Sequence, residues 1–262
     1  MKIQTTKRFG LWLSFSFLIF HLSFSKAQAQ GTESITLRIK GMKCEECGHK
    51  VMVTVKQLPG IEAMRFNYER RTATIDYDPA QTCPDSIEAR LAATVRYKAS
   101  PYSPDDVIHR GMGLRMDDMH CQKCADRILA KLQPMEGIDS LAPHLDKHYY
   151  FIRYDANRTC KADIKEALTG LGFTPVNYYS GPKVAYAYYN IPDVGADPVS
   201  ARQISDDVLI LDGVEDVSVN PKRKSLAVTY FTDETNADKL LADIHAAGIS
   251  AEVPPPHECK EE

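Results

Sequence analysis

The sequence lacks an apolar run long enough to cross a membrane. Its longest hydrophobic stretch, Phe9 to Phe24, has about 16 residues and is interrupted by His21 and by serines, whereas a spanning helix needs about 20. The stretch is preceded by positive charges and followed by Ala27-Gln28-Ala29, the small-x-small pattern of a secretory cleavage site. We therefore predict a signal peptide over residues 1–29, with a membrane anchor as the alternative. The mature chain then starts at Gln30, has no membrane span, and is periplasmic or secreted.

An excess of positive charge is also absent. Without residues 1–29, the chain has 28 lysines and arginines against 35 aspartates and glutamates, a net charge of −7. Because nucleic-acid binding needs a basic surface, this balance disfavours nucleic acid as a partner. No cysteine precedes Cys44, so the chain offers no lipid attachment site near the cleavage point. The remaining 233 residues exceed one compact domain and favour two or three small ones.

Cysteine is scarce but strictly patterned. The chain has seven cysteines, and a triplet of them recurs with every member shifted by 77 residues. A constant offset over three separated positions indicates a duplicated domain. The two triplets are Cys44, Cys47, Cys83 and Cys121, Cys124, Cys160.

Hydrophobic periodicity gives the fold of each repeat. Alternating apolar residues indicate strands and helical spacing indicates helices, in the order β-α-β-β-α-β. The fold class is therefore α+β, with three tandem ferredoxin-like βαββαβ domains, each an antiparallel sheet with two helices on one face. The domains are predicted over 33–102, 106–179 and 183–253. The third has no cysteine, and Asn236 stands where Cys83 and Cys160 stand in the others. Residues 254–262 are predicted to form a disordered tail.

The cysteine pairs point to soft-metal chemistry. Cys44 and Cys47 lie between the first strand and the first helix, where the helix dipole favours the thiolate. Thiolates suit Cu(I), Hg(II), Cd(II) and Zn(II). Taking the first and third strands as parallel neighbours, we expect the loop with Cys83 to emerge at the same end of the sheet. The predicted metal ligands are then Cys44, Cys47, Cys83 in one domain and Cys121, Cys124, Cys160 in the next.

Other interpretations of these residues remain open. The alternatives are a disulfide within each triplet, or Cys83 and Cys160 as small buried residues at a helix start. Three thiolates also supply three of the four ligands that zinc takes in structural sites. Five further residues are candidate ligands: Met42 and Met119 are expected in the core, His120 is expected to face solvent, and His257 with Cys259 offers a further weak site.

Other features of the sequence have simple interpretations. The first loop carries Glu45-Glu46 and the second Gln122-Lys123, a contrast best explained by two solvated loops. Tyrosines cluster where the second and third domains join, and we expect an interdomain contact there because aromatic side chains bury much area. They are Tyr178, Tyr179, Tyr186, Tyr188 and Tyr189.

The first loop carries a family motif. Gly41-Met42-Lys43-Cys44-Glu45-Glu46-Cys47 resembles the G-M-x-C-x-x-C motif of heavy-metal-associated domains, found in copper chaperones, metal-pumping ATPases and the periplasmic mercury-binding protein. The segment Met119 to Cys124 matches from the methionine onward, with Asp118 in place of the glycine. The resemblance implies that each C-x-x-C pair binds metal on a split βαβ fold. Cys83 and Cys160 are not part of that motif, and the third domain resembles the family only as a scaffold.

Together these features predict an exported, non-enzymatic protein that binds soft metal ions. Cu(I) is expected first, with Hg(II), Zn(II) and Cd(II) as alternatives, and the ion is sequestered or passed by ligand exchange to another metal-handling protein of the cell envelope. The third domain would dock a partner or brace the other two. The alternatives are a thiol-disulfide redox protein of the envelope, which also uses C-x-x-C at a helix start, and a structural protein with vestigial metal domains.

Overall fold

The computed structural model describes residues 31–255. The predicted signal peptide therefore lies outside the described residues, as do His257 and Cys259 of the predicted tail. Between residues 31 and 255, no helix is both long and apolar enough to span a bilayer.

The first unit alternates strands and helices as predicted. Its sheet has the strand order β2-β3-β1-β4, and every pairing is antiparallel. Its elements are β1 (Glu33–Lys40), α1 (Glu45–Val55), β2 (Ile61–Asn67), β3 (Thr72–Tyr77), α2 (Pro84–Ala92) and β4 (Lys98–Pro101).

The second unit repeats this arrangement. Its sheet has the order β6-β7-β5-β8, again antiparallel throughout. A single 3₁₀ turn, Leu145–Lys147, joins its two hairpin strands. Its elements are β5 (His109–Arg115), α3 (Gln122–Leu132), β6 (Ile138–His144), β7 (Tyr149–Asp155), α4 (Lys161–Gly170) and β8 (Val176–Tyr178).

The third unit has the same topology with a shortened sheet. Its order is β10-β11-β9, and a single bridge between Asn190 and Glu252 stands where the first two units have a fourth strand. Its elements are β9 (Val184–Asn190), α5 (Pro198–Leu209), β10 (Val214–Asn220), β11 (Ser225–Phe231) and α6 (Ala237–Ala246).

The direction of the central strands overturns one prediction. β1 pairs with β3 antiparallel, so that Glu33 lies opposite Tyr77 and Arg38 opposite Thr72. β5 and β7 pair in the same way. The two strand-to-helix loops of each unit therefore emerge at opposite ends of the sheet, and the expectation of parallel central neighbours was wrong.

Each unit buries its own apolar core between helices and sheet. In the first, Val51 and Val55 of α1 and Ile87 and Leu91 of α2 are fully buried against the sheet. This spacing of four residues places the two members of each pair on one face of their helix. α2 ends at Ala92, and Val95 beyond it is 86 % exposed.

The repeat is visible in the backbone as well as in the sequence. The glycine before the second strand has a positive φ in all three units, at Gly60, Gly137 and Gly213. A Cβ at Gly60 would lie 2.7 Å from the Cβ of Gln81. These glycines are thus required by both conformation and space.

The units pack against one another through specific contacts. At the first junction, Glu69 accepts hydrogen bonds from the Tyr154 hydroxyl and, at 2.8 Å, from the backbone amide of Lys161. At the second, Lys165 forms a 2.6 Å ion pair with Asp216. The Thr174 and Ser225 hydroxyls lie 2.7 Å apart in a buried hydrogen bond.

Candidate metal centres

The first cysteine pair lies at the amino end of α1. Cys44 is the residue that precedes the helix, with φ −149° and ψ 173°, and its side chain makes no capping hydrogen bond. Its thiol instead donates to the Cys47 thiol, with the two sulfurs 3.3 Å apart. Cys44 is exposed, whereas Cys47 is 5 % exposed. An incoming group therefore reaches this pair from the side of Cys44.

The surroundings of Cys47 favour its thiolate. A backbone hydrogen bond at Lys43, followed by the hydrogen bond from Cys44, lowers the pKa of Cys47 to about 7. The guanidinium of Arg96 also donates to its sulfur over 3.8 Å. The buried hydroxyl of Tyr97 contributes to the lowered pKa of Cys47, yet it has no conventional hydrogen-bond partner among the described residues. This site thus has spare donor capacity for negatively charged sulfur, which fits a bound soft cation held by two thiolates.

The second pair has the same local geometry. Cys121 precedes α3 with φ −148° and ψ 167°, and its sulfur lies 3.4 Å from that of Cys124. Here the pKa of Cys121 is lowered, first by a backbone hydrogen bond from Cys124 and then by the Cys124 thiol. Cys121 is exposed and Cys124 is half-buried. The thiol with the lowered pKa is therefore the exposed Cys121 in the second pair, but the buried Cys47 in the first.

The methionines before the two loops belong to the cores. Met42 and Met119 are fully buried. Their amides bond back to Ile39 and Met116 respectively, which turns the chain into the loop. Val194 makes the corresponding bond to Ile191 in the third unit and is also buried. The prediction that these methionines point into the core is confirmed.

The third cysteine of each repeat does not join its pair. Cys83 precedes α2 and follows β3, whose last residue lies opposite Glu33. Since β1 runs from Glu33 to Lys40 at about 3.3 Å per residue, Cys83 lies at the far end of a sheet roughly 20 Å long. Cys160 follows β7, which ends opposite His109, while Cys121 follows the other end of β5 at Arg115. The predicted three-thiolate sites within one domain are therefore wrong.

Cys83 and Cys160 are the residues that start the second helices. Cys83 is exposed and its sulfur lies 3.2 Å from the Ser86 hydroxyl, and this hydrogen bond lowers its pKa. Cys160 is half-buried, and burial raises its pKa. The amide of Cys160 donates to Asp163. No group of three or more cysteine, histidine or acidic side chains suited to hold a metal ion occurs within residues 31–255.

Both cysteine pairs lie in segments that match a known family. The heavy-metal-associated domain model matches residues 36–98 and 114–174, and each match contains one C-x-x-C pair. Two segments of this chain are heavy-metal-associated domains. The third unit lies outside both matches.

The most similar curated relatives include metal pumps of much greater length. The copper-exporting P-type ATPase of Bacillus subtilis (strain 168) is 23 % identical over 141 residues, covering 54 % of this chain and 16 % of that protein. The copper-transporting ATPase HMA4 of Oryza sativa subsp. japonica is 22 % identical over 223 residues, covering 85 % of this chain and 22 % of that protein. The chain thus spans less than a quarter of either pump.

Similar solved structures include both tandem and single domains. The N-terminal soluble domains of Bacillus subtilis CopA are 22 % identical, with a TM-score of 0.26, and cover 58 % of this chain and 98 % of their own. Oxidized MerP from Ralstonia metallidurans CH34 is 25 % identical, with a TM-score of 0.26, and covers 28 % of this chain and all of its own.

Sequence reasoning missed the residues that surround the two heavy-metal-associated pairs. Arg96 and Tyr97 reach Cys47 from the end of α2, 49 positions or more along the chain. Beside the second pair, the His120 and His148 rings meet edge to face at 5.8 Å, and His148 bonds through Nδ1 to the Met119 carbonyl. His120 was expected to face solvent, but it is half-buried. The repeat relates His148 to Arg71 and Lys224, at offsets of 77 and 76 residues, and all three residues have a positive φ.

The tyrosine cluster is interdomain in part. Tyr178 and Tyr186 stack at 5.7 Å, and the Tyr179 hydroxyl donates to Glu215 at 2.8 Å. These contacts join the second and third units, as expected. Tyr189 is different, because it is 2 % exposed in the core of the third unit and donates to the Ala237 carbonyl.

Proposed function

We propose that the protein carries soft metal ions, with Cu(I) as its main cargo, through two sites: Cys44 with Cys47, and Cys121 with Cys124. The observation that carries this proposal is the pair of unbridged thiols at a helix start, found twice with one exposed sulfur each. Thiolates prefer soft cations, and this preference covers Hg(II), Cd(II) and Zn(II) as well. Copper is favoured because the two relatives described above are a copper-exporting and a copper-transporting ATPase.

Transfer by ligand exchange follows from the exposure of the outer sulfur. An incoming thiolate joins the metal from the side of Cys44 or Cys121 before one of the protein thiolates leaves, so the ion is never released free. This role requires no catalysis of a covalent reaction, and the chain acts as a carrier or a buffer. We further propose that it works outside the cytosol, after removal of residues 1–29, and delivers its cargo to another metal-handling protein of the envelope.

Metal uptake tests this proposal. The reduced, anaerobic protein is expected to bind two Cu(I) ions against a competing chromophoric chelator. Cys44→Ser with Cys47→Ser should leave one ion, and adding Cys121→Ser with Cys124→Ser should leave none. Cys83→Ser with Cys160→Ser is the matched control and should still bind two. Uptake that is absent, or that survives loss of both pairs, would refute the carrier role.

A redox role is the second candidate, because the pKa of Cys47 is lowered to about 7 and its sulfur lies 3.3 Å from that of Cys44. A thiol with this pKa is reactive near neutral pH. An insulin-reduction assay separates the two functions. Turnover that disappears in Cys44→Ser and Cys121→Ser would favour the redox protein, whereas the carrier predicts no turnover above that of a simple dithiol.

A further inference from the structure

A cavity lies at the junction of the first and second units. Its volume is about 490 Å³, and its lining includes Lys43 and Arg71 of the first unit with Arg110 and Lys161 of the second. Small-molecule sites have volumes of about 300–1,000 Å³, so this space suits a small ligand. None of the described cysteines lines the cavity. It is therefore a feature of the junction and not a part of either cysteine pair.

A second cavity at the same junction shares two of these cations. Arg71 and Arg110 line both cavities, and the second, of about 410 Å³, also includes Arg38 and Lys40 in its lining. Among the described residues, the second lining has no acidic side chain, and the first has only Glu69. Six lysines and arginines therefore line two adjoining cavities with a single carboxylate, in a chain with more acidic than basic residues.

The single carboxylate is already engaged. The Oε1 atom of Glu69 accepts hydrogen bonds from the Tyr154 hydroxyl and from the backbone amide of Lys161. None of the six cationic side chains forms an ion pair within residues 31–255. The junction thus gathers positive charge without a matching set of anions from the described part of the chain.

Arg110 shows most directly that an anion is needed. Its Nε atom donates to the backbone carbonyl of Glu69, whereas its Nη2 atom is buried and has no hydrogen-bond partner among the described residues. Burial, followed by the charge of Arg71, lowers the pKa of Arg110. Buried donors of this kind are normally satisfied, so an oxygen ligand is expected at Nη2.

We propose that this junction binds a small anion with at least two oxyanion groups, a polycarboxylate or a diphosphate, at Arg71 and Arg110. A guanidinium suits this role because its fork of donors matches the oxygens of a carboxylate or phosphate. More than one oxyanion group is expected because cationic side chains line both cavities. Since the two arginines belong to different units, the bound anion also holds the first and second units together. This binding activity is additional to metal carriage and does not depend on it.

Isothermal titration calorimetry of the full, reduced, metal-free chain tests the proposal. Citrate is the polycarboxylate probe and pyrophosphate the diphosphate probe, and the one that binds more tightly identifies the ligand class. We expect one anion per chain, bound about tenfold more weakly by Arg110→Gln and by Arg71→Asn. Asparagine tolerates the φ of 55° at position 71. Lys222→Gln, at an exposed lysine of the third unit outside both linings, is the matched control and should bind as the unchanged protein does.

Thermal unfolding provides a second measurement. A saturating anion should raise the Tm of the unchanged protein and of Lys222→Gln, with a much smaller rise in Arg71→Asn. The Arg71 side chain makes no hydrogen bond within residues 31–255, so Arg71→Asn decides the question if Arg110→Gln fails to fold.

Two results would overturn the proposal. One is the lack of saturable binding of citrate and pyrophosphate at millimolar concentration. The other is an equal loss of affinity in Lys222→Gln and Arg71→Asn, because the anions would then respond only to the overall charge of the protein. Neither result depends on metal uptake by the cysteine pairs, so the carrier function and this site can fail separately.

Discussion

Val95 has a backbone conformation that a β-branched residue rarely adopts. Its φ is 61°. The equivalent residues after the second helix of the other two units also have a positive φ, but they are glycines, Gly172 and Gly248. For an L-residue the left-handed region costs about 1–2 kcal/mol because Cβ approaches the carbonyl oxygen. Because Val95 is 86 % exposed, its side chain gains little packing in return.

We therefore expect Val95→Gly to stabilise the protein by about 1 kcal/mol, measured by urea unfolding followed by circular dichroism. The reciprocal control is Gly248→Val, at a site with φ 82° and no atom within 4 Å of an added Cβ. Because space is not limiting there, it should destabilise by a similar amount through strain alone. No gain from Val95→Gly would show that the strain is relieved elsewhere.

The residue that precedes the second helix of a unit can be explained by helix capping, without a metal-binding role. Cys83 and Asn236 precede their helices with nearly the same dihedrals, φ −138° and ψ 163° against φ −141° and ψ 170°. The Asn236 side chain accepts a hydrogen bond from the Lys239 amide, whereas Cys83 makes no side-chain capping bond. Asparagine is among the best residues for this position.

Cys83→Asn should therefore stabilise the first unit by about 1 kcal/mol and leave the number of bound metal ions unchanged. Thermal unfolding and Cu(I) titration of the same sample check both parts. Asn236→Ala is the matched control and should lose about the same amount. A drop in bound metal would instead return Cys83 to the metal site.

The sequence was sufficient for the elements but not for their directions. The offset of 77 residues located both C-x-x-C loops, and helical spacing placed Val51 and Ile87 in the core. The prediction that the third cysteine joins the metal site failed because β2 and β3 form a hairpin, which reverses β3 relative to β1. Arg96 and Tyr97 were also out of reach, since their approach to Cys47 depends on how α2 ends.

At the scale of the whole molecule, one turn links the first two units. The Glu69 carboxylate accepts hydrogen bonds from the Tyr154 hydroxyl and the Lys161 amide, and the Glu69 backbone carbonyl accepts one from the Arg110 guanidinium. Glu69→Ala should leave both amide and hydroxyl unpaired at the junction. We expect a larger radius of gyration in small-angle X-ray scattering, with unchanged metal uptake. Glu62→Ala, at an exposed residue of β2, is the control and should not alter the scattering.

The second junction should make stability depend on pH. Burial raises the pKa of Asp118 to about 6 from its usual value near 3.8, although Thr174 hydrogen-bonds to it. A raised pKa means that the folded state holds the proton more tightly, so this contribution to stability is full below pH 3.8 and is lost as pH rises through 6.

Asp118→Asn should therefore stabilise the protein at pH 7 by about 3 kcal/mol and have little effect at pH 3.5. Asp76→Asn provides the opposite sign, because Arg65 lowers the pKa of Asp76 and the variant should be destabilised only near neutral pH. Urea unfolding at both pH values checks the pair, and equal effects of Asp118→Asn at both would show that folding does not raise the pKa of this carboxyl.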